Sequence, residues 1–174
     1  MKQKKFVKDY KVIINEKGKK EYLYQGPLYS ITQPEIWKNY IITTWGLAIL
    51  NTVLFLLLGF VNNDGSRQMY ISIPFVALLF PVAMLWVDAY KVTFHKKPME
   101  RMTYIQGFLH SRKMSVTGGI ISSLGAVGEA IYLLLGTSTT QTKEWIVLLT
   151  FVVFAGANWM FFVLARRVKL KEHH

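Results

Sequence analysis

The chain has 174 residues, with 21 Lys and Arg against 10 Asp and Glu, no cysteine, and 52% hydrophobic residues. Its length suggests one domain, and the absence of cysteine excludes a disulfide scaffold or a thiolate-bound metal. A net charge of +11 invites a nucleic-acid reading, but only 18% of the residues are charged, too few for a basic soluble protein of that kind.

Residues 1–32 read as a cytoplasmic N-terminal segment. Residues 10–15 and 21–25 are rich in β-branched and aromatic side chains and flank a polar turn at Gly18, the pattern of a β-hairpin. A lone hairpin is marginal in water, so this one is expected on the membrane surface or against a partner. Gly26 and Pro27 break it. Thr32, Pro34 and Glu35 then supply a capping hydroxyl, a first-turn proline and a capping-box acid for a helix start. Trp37 and Tyr40 are expected at headgroup level.

Residues 39–63, 68–87 and 145–165 carry no charge, and residues 114–142 carry Glu129 alone. About 20 apolar residues in a helix cross a hydrocarbon core of roughly 30 Å, and lipid leaves no other way to satisfy an open backbone except a closed barrel. Barrel strands would alternate with period two, which these runs do not. The expected fold is an all-α integral membrane protein with four transmembrane helices in two antiparallel hairpins. The spans fall at about 39–61, 69–87, 115–136 and 145–165, within a transmembrane domain at 33–165. The first span follows almost forty residues, too late for a cleavable signal peptide.

The connection at 62–66 has turn composition, with Gly65 able to take positive φ. The connection at 136–142 is short and polar, with Gly136 as a helix stop. In the middle connection, 88–113, Met99, Met102, Ile105, Phe108 and Leu109 recur at helical spacing. They predict an amphipathic helix lying in the interface; a packed extension of span two is the competing expectation. Residues 166–174 form a basic tail. His173 and His174 read as a purification-tag remnant and are left out of metal arguments.

Nineteen of the 21 basic residues fall before the first span, between spans two and three, or after the fourth. Basic residues are retained on the cytoplasmic side, so both termini and the middle connection are expected there, at the plasma membrane of a bacterial cell. Lys96, Lys97, Arg101, Arg112, Lys113, Arg166 and Arg167 are the expected contacts to anionic lipid headgroups. That assignment absorbs the charge and leaves nucleic acid without a role.

Glu129 is the ionisable group inside a span, and such groups carry a functional expectation. It lies about 10 Å from the outer boundary, and Asn51, roughly 15 Å below that boundary, is its expected partner. Asp88 is about 20 Å away along the membrane normal, too far for acid–base work. Glu129 is either a proton or cation site or an interhelical tie. Gly118, Ser122, Ala126 and Ala130 make a small-residue stripe for close helix packing, against Ala155 and Gly156 or another protein. Pro74 and Pro81 mark a bend or hinge. His95 and His110 lack a matching cysteine or acid, so no metal and no cofactor are expected. No nucleophile, base and acid converge. The expected function is a non-enzymatic accessory subunit of a larger membrane complex such as a transporter, partnered by lipid and by another membrane protein or by its own copies. The alternative is an oligomeric transporter or channel using Glu129 and Asn51.

Overall fold

The computed structural model describes residues 9–14, 20–31, 34–94, 99–136, 141–168 and 170–173. Four helices are long and apolar enough to cross a membrane: α1 (Pro34–Phe60), α2 (Met69–Thr93), α3 (Arg101–Leu134) and α4 (Gln141–Arg166). Even the 25 residues of α2 rise about 37 Å, more than a hydrocarbon core of roughly 30 Å. The α1–α2 and α3–α4 connections lie at one end of the bundle, here termed distal. The strands gather at the other, proximal, end. Apolar side chains such as Ile42, Val53, Ile73, Val76, Leu124 and Met160 are exposed, while Asn51, Ser122, Glu129, Glu144 and Asn158 are fully buried. A bundle built for water keeps large exposed apolar surfaces small.

Strands β1 (Tyr10–Ile14) and β2 (Lys20–Tyr24) pair antiparallel, with Tyr10 opposite Tyr24. The turn at Gly18, the cap at Thr32, and His95, Lys96 and Lys97 lie outside the described residues. A second sheet has β3 (Leu28–Ile31) between β4 (Met99–Glu100) and β5 (Leu170–His173). Nothing in the sequence announces it. The expected free tail instead pairs along β3, from Ile31 with Leu170 to Leu28 with His173. Strands this short and mixed have no period of their own, and their pairing is set by which segments the helices bring together.

The middle connection also departs from expectation. β4 leads straight into α3, so Met102, Ile105, Phe108 and Leu109 belong to the third long helix, neither to a separate interface helix nor to span two. Met99 and Phe108 are buried with Trp37, Tyr40 and Leu85, so protein covers the centre of that apolar face, while Met102, Ile105 and Leu109 are half-buried. Trp37 and Tyr40 are core residues too, their rings stacked 5.4 Å apart. Tyr104–Leu109 is a π-helical turn, a local widening of α3.

Helices α1 and α2 are joined by two tryptophans. Trp45 Nε1 donates to Thr93 Oγ1 and Trp86 Nε1 to Thr52 Oγ1, each at 2.8 Å, and the two indoles meet edge to face at 5.5 Å. Helices α3 and α4 approach closely where α3 is bare. A Cβ on Gly125 would collide with the Phe151 ring, and one on Gly118 would stand 3.0 Å from Asn158 Oδ1. Gly118 and Ser122 of the stripe are buried, and Ala126 and Ala130 half-buried, whereas Gly156 faces open space. α2 continues through both Pro74 and Pro81. Pro74 has no N–H for the carbonyl of Tyr70 four residues earlier. Gly128 brings bare α3 backbone against that carbonyl, with room for a Cβ only at 3.0 Å from its oxygen.

Candidate functional site

The distal end holds two buried acids, Glu129 and Glu144, both without measurable exposure. Glu144 sits in the first turn of α4, where the helix dipole favours an anion. One of its oxygens accepts the backbone N–H of Asp64 (3.0 Å) and of Gly65 (3.2 Å). The other accepts from Asn63 Nδ2. The α1–α2 connection is therefore strapped to α4 through the Glu144 carboxylate, and Lys143 Nζ adds a bond to the Asn62 carbonyl at 3.2 Å.

Glu129, on α3, faces Glu144 beside Gly65. Neither of its oxygens, nor Asn63 Oδ1, receives a hydrogen bond from a donor among the described residues. A bond between two carboxyl groups exists only when one of them carries a proton; without it two like charges would repel at contact. All three side chains converge on Gly65, where a Cβ would lie 2.8 Å from Glu144, and 3.1 Å from both Asn63 and Glu129. Positive φ is not why glycine stands there: among the described residues only Gly136 has it, at 63°, where it ends α3. Gly65 is required for space.

Asn51 is not the partner of Glu129. It exchanges amide hydrogen bonds with Asn158, Nδ2 to Oδ1 in both directions, at 3.2 and 3.1 Å. Asn51 lies far below Glu129 because Asn158, its partner, is 14 residues or about 21 Å along α4 from Glu144. Ser111, Ser115, Ser122 and Glu129 are all buried along α3, with the Asn51–Asn158 pair between the serines and Gly118 making room for it. Each serine donates to a carbonyl of its own helix, at 2.8, 2.9 and 2.6 Å.

Near the proximal end, buried Asp88 of α2 faces His110 of α3, with Nδ1 2.8 and 2.9 Å from the two carboxylate oxygens. Tyr40 and Ser111 share a 2.5 Å hydroxyl contact beside it. Neither residue has further ligands around it: no group of three or more His, Cys, Asp or Glu suited to a metal occurs among the described residues.

The β1–β2 hairpin is fastened at its base. Tyr10 donates to Glu100 Oε2 at 2.5 Å, and the Arg101 N–H donates to the Tyr24 hydroxyl at 3.0 Å. Arg101 lies 3.9 Å from Asp9, so it is engaged with the hairpin. The bond to Glu100, burial, and the negative charges of Glu100 and Asp9 push the Tyr10 phenol up to about 12. Arg112 and Lys113 line a groove between α3 and α4, Arg166 lies over the Phe162 ring at 5.3 Å, and Arg167 is exposed.

Sequence reasoning missed Glu144 and the Asp88–His110 pair. Glu144 had a signal, since an acid three residues into a helix behind a polar turn is a helix-start residue. The pairing of His110 with Asp88 had none, because it depends on α3 beginning 13 residues before the apolar run that starts at Met114. Compared with known proteins, the chain matches no family, no curated protein and no solved structure.

Proposed function

We propose that the chain is an integral protein of a plasma membrane, with its proximal end on the cytoplasmic side, serving as a non-enzymatic accessory subunit of a larger membrane complex such as a transporter. The observation that carries this reading is the β1–β2 hairpin. Val12, Ile14, Tyr22 and Leu23 are 50 to 69% exposed, and Ile13 42%, so both faces of the hairpin are apolar and uncovered. Such a hairpin gains little from its own chain beyond the base, and the exposed apolar side chains of its strands suit a protein partner. The basic residues supply the orientation, since nineteen of 21 fall in the sequence before the first span, between spans two and three, or after the fourth. The test is purification in mild detergent followed by mass spectrometry. A stoichiometric membrane partner is expected, lost in Ile13→Asp with Leu23→Asp while helical content is kept. A partner-free homo-oligomer would defeat the reading.

One observation favours a second reading, an oligomeric small transporter or channel. Glu129 meets a second acid, and buried polar side chains continue from it along α3. Proton or cation flux in proteoliposomes, abolished by Glu129→Gln, would support this reading over the first.

A further inference from the structure

Between α3 and α4 at the proximal end lies an open groove of about 540 Å³, lined by Leu109, Arg112, Lys113, Val116, Thr117 and Phe162. The α3 members recur every three or four residues, so they share one face of the helix. One turn beyond Phe162, Arg166 covers that ring. The ion pairs among the described residues are Arg101 with Asp9 and His110 with Asp88. Arg112, Lys113 and Arg166 enter neither. Among the described residues the groove thus has apolar walls and three cations at its mouth that pair with no acid.

We propose that this groove binds one anionic glycerophospholipid, its phosphate held by Arg112, Lys113 and Arg166 and the upper part of an acyl chain lying along Val116 and Phe162. Guanidinium groups grip phosphate oxygens in pairs, and basic pockets between membrane helices on the cytoplasmic side select anionic headgroups. A zwitterionic lipid would bring its own cation to a mouth that is already positive. A free anion would leave Leu109 and Val116 uncovered. The inference goes beyond the accessory role and rests only on the membrane placement in that reading.

The test uses full-length protein, delipidated in mild detergent and titrated with phosphatidylglycerol or phosphatidylcholine, with adducts counted by native mass spectrometry. One phosphatidylglycerol should be retained, about 10-fold or more tighter than phosphatidylcholine, and should loosen as salt rises. Arg112→Gln with Lys113→Gln should erase the preference. Thr117→Trp, which fills the groove and keeps its charges, should lower retention of phosphatidylglycerol. Lys143→Gln, at the distal end, should change neither. Circular dichroism confirms folding, and the exposed Arg166→Gln variant stands in if the double variant fails to fold. Equal retention of the two lipids, a preference that survives the groove variants, or displacement by equimolar inorganic phosphate overturns the proposal. Membrane placement is scored separately by alkaline extraction, so the two failures are distinguishable.

Discussion

The backbone of Gly128 packs on the carbonyl of Tyr70, whose helical donor Pro74 has removed; a Cβ there would sit 3.0 Å from the oxygen. The two residue choices, a proline in α2 and a glycine in α3, thus meet at one carbonyl across the interface. Gly128→Val should therefore lower stability by about 1–3 kcal/mol. In Pro74→Ala the carbonyl regains a helical donor, and the combined variant should cost less than the sum of the two. Thermal unfolding in detergent reads both effects, and strict additivity would argue against the coupling.

The Asn51–Asn158 pair yields a second cycle. Asn51→Leu leaves the Asn158 amide with its bond to the Phe154 carbonyl (2.8 Å) but no acceptor role filled. Each single change should cost about 1–2 kcal/mol. Replacing both with leucine should recover part of that, because no buried amide is then left half-satisfied.

The two distal acids should respond unequally to amide substitution. Glu129→Gln gives up no hydrogen bond accepted from the described residues and should leave stability nearly unchanged. Glu144→Gln weakens three accepted hydrogen bonds and aims an NH₂ at N–H donors, a loss of about 2 kcal/mol. Gly65→Ala should resemble the latter. Equal effects of the two amide variants would show that Glu144 is not the anchor of the connection.

The hairpin should detach in alkali. The Tyr10 phenol is raised from 10 to about 12, so its neutral form is favoured in the folded protein. The stability it contributes is complete below pH 10 and is lost as pH climbs towards 12. Limited proteolysis in 20–24 should increase over that window in the wild type. Tyr10→Phe should show high cleavage throughout, without the Tyr10-linked step.

Much of this architecture is legible in the residues. Uncharged runs of helical length announce the four helices, and the alternation of β-branched and aromatic residues before them announces the hairpin. Gly136 reads correctly as a stop because positive φ leaves a local mark. What stays hidden is relational. The spacing of Met102, Ile105 and Phe108 reports an apolar face but not whether protein or lipid covers it. Depth counted from each helix end places Asn51 near Glu129, because the count assumes that all four helices end level. Gly65 looks like a turn glycine, although its role is set by carboxyl groups some 64 and 79 positions further along the chain.

Strand β5 can meet β3 only after α4 has returned to the proximal side, since the two strands lie near opposite ends of the described chain. Closing so long a loop is slow relative to forming any helix or local hairpin. The three-stranded sheet is therefore a late event in assembly, a clasp that shuts once every helix is in place. Until it shuts, β3 offers an open edge at the same end as the uncovered hairpin. A nascent chain lacking its last helix would thus differ from the finished one in exactly the surface that a quality-control factor could read.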